Sequence, residues 1–336
     1  MTLPDETTPR IAILGAGAVG SLVAARLVQS GLAPSLVARG ARLEQLRAKG
    51  LWLRENGAEP IHLPVRAASA SEAGAQDIVF LALKAHAIEP ALPDIARLVT
   101  PTTFVVPLIN GVPWWYFQGD GARTVRAVDP HGALARFFAP SRLVGAVLFL
   151  TASLDDDGAV LASGPERIVM GTVSTATDTD PSATLAPLRS ALGATSLAVR
   201  FVDEVRRDLW SKIALNLATN PLSVVAQATL AEQFNDPALV PTVTAVLRET
   251  IALARRLGVE PRYDLDEMLA IGRAAGPFRT SMAQDHARGA PLELDAIARS
   301  VLELAETHEL PMPTARTVTE ICSFLDGRSD TARDPV

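Results

Sequence analysis

A glycine-rich turn near the N-terminus restricts this chain more than any other stretch. Ile11-Ala-Ile-Leu14 is a short apolar run, too short for a helix, and it leads into Gly15-Ala-Gly-Ala-Val-Gly20. Ser21-Leu-Val-Ala-Ala-Arg-Leu-Val28 follows with helical period and closes at Gly31. Strand, glycine turn and helix, in that order, predict the first unit of a dinucleotide-binding fold. Gly15 permits the tight turn, Gly17 lets backbone approach a pyrophosphate, and Gly20 lets helix and strand pack closely. Ala16, Ala18 and Val19 complete the phosphate-binding turn, and the first N–H groups of the helix are offered to the phosphates. The competing reading is that the glycines merely serve a turn.

The second strand, Ser35-Leu-Val-Ala38, ends at Arg39-Gly-Ala-Arg42. A cofactor without a 2'-phosphate is usually held by an acid near this strand end, and none is present. Arg39, with Arg42 as helper, can instead pair the 2'-phosphate of NADP(H) through charge-assisted hydrogen bonds. Otherwise both arginines are simply solvated at a helix start. Leu51–Arg54 and Ile61–Val65 flank Asn56-Gly57 and predict an inserted hairpin. Asp77–Leu83 and Thr103–Val106 are further buried strands, ending near Lys84 and Asn110. Ligands of open α/β sheets sit beyond strand carboxyl ends, so both residues are expected at the ribose and nicotinamide end of the cofactor. Trp114-Trp-Tyr-Phe117 fits core filling, a dimer face or a wall of the substrate pocket. Val144–Leu150 is expected to resume the sheet, and Val160–Ala162 with Arg167–Gly171 to form a hairpin. Ser174–Ser182 reads as a loop, Thr184–Leu192 as a helix and Leu197–Phe201 as a last strand.

From Asp203 onward only helices are expected, broken at Gly258–Pro261, Gly276-Pro277, Gly289–Pro291 and Pro311–Pro313. The organisation is therefore an α/β N-terminal Rossmann-type dinucleotide-binding domain (1–200), an all-helical C-terminal domain (201–327) and a frayed tail (328–336). The first long helix carries a polar seam. Lys212, Asn216 and Asn220 recur every four residues, drifting only about 40° per step, among Leu209, Ile213 and Leu217. A solvated helix face usually carries several charges, not one lysine and two amides. Pro221 is expected to kink or stop the helix.

Composition removes other classes. The 48% hydrophobic content over 336 residues excludes a largely disordered chain. No apolar run reaches the ~18 residues of a membrane span, and the acidic start, Met1–Arg10, is unlike a signal peptide. Cys322 is the single cysteine, which suits a reducing compartment, and a cytoplasmic protein is expected. The five histidines lack metal-ligand spacing, so no metal is expected. A net charge of -6 argues against nucleic acid as a partner. Val243, Leu247 and Ile251 offer a face for a homodimer, though that face must first serve the domain's own core.

Taken in order, these pieces resemble the ketopantoate reductase (2-dehydropantoate 2-reductase) family. The resemblance rests on Gly15-x-Gly-x-x-Gly20, Leu83-Lys84-Ala, Asn110-Gly111, Trp210-x-Lys212-x3-Asn216-x3-Asn220-Pro221 and Ser281-Met-x-Gln-Asp285, with Glu293 twelve residues after Ser281. It implies a general acid at Lys212, substrate-binding amides at Asn216 and Asn220, and a hydroxyl for the substrate carboxylate at Ser281. Glu293 matches a glutamate near the substrate hydroxyl and the catalytic lysine. Lys84 and Asn110 match residues near the nicotinamide ribose and the substrate. The competing readings are a helix N-cap for Ser281 and a first-turn acid favoured by the helix dipole for Glu293.

The chemistry is coherent with those roles, because hydride addition to a ketone builds charge on oxygen that needs a cation and a proton. There are three departures, one of them a tract from Trp114 to Ser141 that is longer and bulkier than is usual in the family. Glu293-Leu-Asp-Ala-Ile is followed by Ala298-Arg299 where many members have Asn-Gly, and a later family amide has no clear match around Thr229-Leu230. The expected activity is NADPH-dependent reduction of 2-dehydropantoate to (R)-pantoate. The alternatives are a paralogous reductase of another 2-oxo acid or imine, and a non-catalytic NADP-sensing protein.

Overall fold

The strand before the glycine turn becomes the centre of a sheet. In the computed structural model, which describes residues 8–118, 123–173 and 180–331, β1 (Ile11–Leu14) is buried throughout. β2 (Ser35–Val37) and β5 (Arg66–Ala68) lie to one side, β6 (Ile78–Leu81) and β7 (Phe104–Pro107) to the other. All four pairings are parallel, in the order β5-β2-β1-β6-β7. The chain therefore leaves β1 in one direction and returns on its other side at β6. Such a reversal opens a crevice at the carboxyl ends of the strands. Helices α1 (Ala18–Gln29), α2 (Gly40–Lys49), α3 (Ala70–Ala73) and α4 (Leu92–Leu98) make the connections.

A second sheet holds the expected hairpin, β3 (Leu51–Glu55) antiparallel to β4 (Ile61–Leu63). Two expectations fail around it. β8 (Val144–Leu154) does not extend the first sheet, to which only an isolated bridge, Val105 to Leu143, connects its start. Nor do Val160–Ala162 and Arg167–Gly171 form a hairpin: they are one strand, β9 (Val160–Thr172), antiparallel to β8. Gly164-Pro165 resembles a turn in sequence, but the register slips between Phe149 and Thr151 and absorbs it as a bulge. β3 and β10 (Val199–Phe201) share the other edge of β9, both parallel to it. α5 (Ala133–Phe137) and α6 (Pro181–Leu192) complete this unit.

Arg26 of α1 ties the second sheet down. It donates to Glu166 of β9 at 2.9 Å and to Glu55 of β3 at 2.6 Å. The Arg26 and Glu166 side chains are only 12% and 14% exposed. Removing the cation would strand a largely buried carboxylate, so Arg26→Met is expected to cost about 3 kcal/mol of unfolding free energy. Urea titration checks this, and the loss should persist in about 1 M salt, where exposed pairs are screened. Equal stability of variant and parent would show the cluster to be energetically neutral.

Chain packing separates residues up to Ile109, 117–123 and 133–205 from a helical unit of Asn110–Tyr116, Thr124–Gly132 and Arg206 onward. Two short segments thus leave the α/β part for the helical one. Hydrogen bonds explain both: Val112 N donates to Ala296 O at 2.9 Å, and Glu303 accepts from the amides of Arg126 and Ala127 at 2.9 and 2.8 Å. The helices are α7 (Val205–Ala226), α8 (Leu230–Asn235), α9 (Val240–Arg256), α10 (Leu265–Arg273), α11 (Ser281–Ala287), α12 (Ser300–Thr307) and α13 (Pro313–Thr331). A π-helical stretch, Asp295–Arg299, precedes α12.

α7 neither stops nor restarts at Pro221; it continues to Ala226, with Leu217, Leu222 and Val224 buried along it. Packing of those side chains outweighs the hydrogen bond that proline cannot donate. α13 likewise runs beyond the expected start of the tail, to Thr331, because Gly327 alone costs only about 1 kcal/mol. Residues 332–336 and most of the expected loop at 174–182 lie outside the described residues. Val243, Leu247 and Ile251 are buried within the helical unit, which uses this stripe for its own core. Among the described residues, no helix is long and apolar enough to cross a membrane.

Candidate active site

Gly15 leaves β1 at φ +110°, and a Cβ there would lie 2.4 Å from the Ala82 carbonyl oxygen. Ala82 N in turn donates to Leu14 O at 2.8 Å, so the turn is pressed against the end of β6. A Cβ on Gly20 would meet the Gly15 carbonyl oxygen at 1.9 Å. Gly17 differs: a Cβ there would meet nothing within 4 Å. Gly15 and Gly20 thus serve the protein's own packing, whereas Gly17 faces open space. Gly17 also stands at the N-cap of α1 without a side-chain cap, and the first turn carries no acid. The helix start is therefore left with amide donors for an anion.

A cleft of about 480 Å³ opens here, lined by Gly15, Ala16 and Gly17, by Arg39, and by Lys84 beyond β6. Its size and mixed apolar and cationic lining fit part of a dinucleotide. Arg39 is exposed at its rim. The suggested helper, Arg42, also lines the cleft, and it donates to Ala16 O at 3.0 Å and to Gly158 O at 3.0 Å, with Gln45 Oε1 at 2.6 Å. It braces the glycine turn. Ala18, Val19 and Gly20 form the first turn of α1, and Asn110 is not among the residues lining this cleft.

In the helical unit, α7 carries Lys212 and Asn216, both half-buried, and Asn220, which is 4% exposed. Desolvation pushes the Lys212 ammonium from its ordinary value of 10.5 down to about 8. Asn220 O accepts from Ser223 Oγ, which also lies 2.6 Å from Thr280 Oγ1. Thr280 caps α11 by accepting from Ala283 N at 3.1 Å. The capping role open to Ser281 thus belongs to its neighbour, and Ser281 sits exposed on the first turn of α11. The Ser223–Thr280 contact brings that turn beside the Asn220 end of the seam.

Glu293 precedes the helical turn that opens at Leu294, and its carbonyl accepts from Ile297 N at 3.0 Å. The stretch departing from the family pattern, Ala298-Arg299, lies in the π-helical turn, with Ala298 buried and Arg299 paired to Asp295 at 2.8 Å. Ala296 O accepts from Ser300 Oγ at 2.7 Å as well as from Val112 N. Gly111, at φ +81°, leaves only 1.9 Å from a Cβ to that oxygen. Asn110 is therefore carried against the segment of Glu293. The same short segment reaches α7, where Trp210 Nε1 donates to Tyr116 OH at 2.8 Å. Sequence reading had no means to find this pair, whose members lie 94 positions apart; the cluster at 114–117 was its only local sign. All four cluster residues are buried within the chain, so they do not offer an open dimer face. No three His, Cys, Asp or Glu among the described residues are grouped to hold a metal ion.

Comparison with known proteins adds to this geometry. The sequence model "Ketopantoate reductase PanE/ApbA" matches residues 11–175, and its C-terminal counterpart matches 204–326. A 2-dehydropantoate 2-reductase of Mesorhizobium japonicum is 38% identical over 322 residues, 94% of this chain and 97% of its own. Among solved structures, a candidate ketopantoate reductase from Ralstonia solanacearum MolK2 superposes with a TM-score of 0.87 at 35% identity, covering 96% of this chain and 99% of its own. A D-mandelate dehydrogenase solved with NADH and anilino(oxo)acetate shares the fold, with a TM-score of 0.82 at 22% identity over 96% of this chain and 99% of its own.

Proposed function

This chain belongs to the ketopantoate reductase family, and from that membership we propose that it reduces 2-dehydropantoate to pantoate with NADPH, Lys212 acting as general acid. The carrying observation is the polar seam of α7, where a desolvated lysine with a pKa of about 8 shares one helix face with two amides. An oxidoreductase of this family needs such a group. When bound, the dinucleotide supplies the hydride. Lys212 stabilises the negative charge that grows on the C2 oxygen and transfers its proton there, leaving a 2-hydroxy acid and a neutral amine that regains its proton from water. Asn110, Asn216 and Asn220 orient the substrate's polar groups, Ser281 receives the carboxylate, and Glu293 keeps Lys212 and the substrate hydroxyl in register. Gly15 to Gly20 and Lys84 hold the cofactor, and Arg39 binds its 2'-phosphate.

The test is oxidation of NADPH and of NADH with a panel of 2-oxo acids that includes 2-dehydropantoate. Turnover of 2-dehydropantoate with a far higher kcat/KM than the others supports the proposal. Preference for another 2-oxo acid would select a paralogue, the reading that the Ala298-Arg299 departure favours. Arg39→Ala is expected to raise the KM for NADPH about tenfold relative to that for NADH, the size of one lost charge-assisted hydrogen bond. Equal use of both cofactors, unchanged in the variant, would overturn the assignment of NADPH.

A further inference from the structure

We propose that Tyr116 is a positioning residue for the reduction, gripping two successive turns of α7 and fixing the angle at which that helix presents Lys212. The proposal rests on the role given to Lys212 above. Tyr116 is 5% exposed and Trp210 fully buried. Besides accepting the Trp210 Nε1 hydrogen bond, the Tyr116 ring meets the indole edge to face, at 6.0 Å and 88°. One turn earlier, Arg206 donates to the Tyr116 carbonyl at 3.0 Å, and its guanidinium carbon lies 5.7 Å from the ring centre. Residues 206 and 210 stack on one face of a helix. Lys212, two positions past Trp210, points about 200° away. Tyr116 therefore holds the back of the helix whose front carries the proton donor.

Small rotations matter at that radius. A turn of about 10° swings an ammonium ~8 Å from the helix axis by about 1.4 Å, and misplacement by about 1 Å can cost 10²-fold in rate. The grip is also referenced to the rest of the site. Tyr116 N donates to Pro113 O at 3.1 Å, and the segment continues back through Val112, bonded to Ala296, to Asn110. One short segment thus fixes α7 against the turn that follows Glu293.

Tyr116→Phe keeps the ring and removes only the hydroxyl. The expected result is a kcat lowered tenfold or more with the KM for cofactor within about twofold of the parent. The double variant Tyr116→Phe/Trp210→Phe strands no indole N–H but opens a cavity where the larger ring packed, so its Tm and kcat should not fall in the proportion seen for Tyr116→Phe. The chain has three lysines, Lys49, Lys84 and Lys212, so 13C labelling at the lysine ε carbon follows Lys212 directly by NMR, assigned with Lys212→Arg. Its titration midpoint should move in Tyr116→Phe. Parental kcat and titration in Tyr116→Phe, or activity that simply follows Tm across the variants, would overturn the proposal and leave Tyr116 as core. If the parent turns over no 2-oxo acid, the proposed function fails, while the Lys212 titration alone still decides whether Tyr116 positions it.

Discussion

Lys212→Ala is expected to lower kcat for 2-oxo acid reduction by about 10³-fold, because on the proposed mechanism it removes both the proton donor and the cation for the developing oxyanion. The cleft proposed for the cofactor is lined by residues of the α/β unit, so affinity for NADPH, read by fluorescence titration, should stay within a few-fold. The pH profile provides a second reading. Reduction needs the charged amine, so kcat should be flat below pH 8 and fall as pH rises through the Lys212 pKa of about 8. That limb should vanish from the residual activity of the variant. The sign for stability is opposite. Keeping a desolvated lysine charged opposes folding below pH 8, and the penalty is relieved as pH rises from about 8 toward 10.5, where only the unfolded chain still holds the proton. On the proposed mechanism, the protonation state that the reaction needs is the one that the fold disfavours. A variant with parental kcat would remove Lys212 from the mechanism.

The second large effect is expected at Gly111. An alanine there must adopt φ +81° with its Cβ directed at the Ala296 carbonyl oxygen, a backbone atom that cannot rotate away. Left-handed strain and the required main-chain shift together should cost about 2–4 kcal/mol. Displacement of Asn110 and of the turn after Glu293 should lower kcat/KM as well, even in molecules that remain folded. Urea unfolding and steady-state kinetics on Gly111→Ala separate the two losses. Parental stability would mean that the segment tolerates another path.

Local features explain what could be read in advance. Gly15 to Gly20 was legible because strand, turn and helix are contiguous, and the seam of α7 because its period is that of one helix. The β8–β9 pairing was misread because Gly164-Pro165 carries the signature of a turn, while pairing along both flanks, which no local window contains, made it a bulge. Pro221 misled similarly: its missing donor is a local fact, and the burial of Leu217, Leu222 and Val224 is a tertiary one. Within the site, Lys212 stood out by residue type and spacing, whereas Glu293 was implied only by the family resemblance. Their shared frame was not legible, since it consists of one carbonyl, that of Ala296, and one phenol, that of Tyr116. Asn110-Gly111 follows the end of β7, as expected, yet packs with the helical unit, which no local window shows.

Because α7 continues unbroken past Pro221, it also works as a ruler. At 1.5 Å per residue, its notches at Lys212, Asn216 and Asn220 stand about 6 Å apart, so the outer two are separated by about 12 Å. An oxo acid of five or six carbons, about 6 Å in extent, spans a single interval of that scale. On the proposed function, side-chain reach from Asn220 closes the remaining interval at the far end of such an acid. If the proposed function holds, chain length along this one rod is then the quantity by which this protein sorts 2-oxo acids.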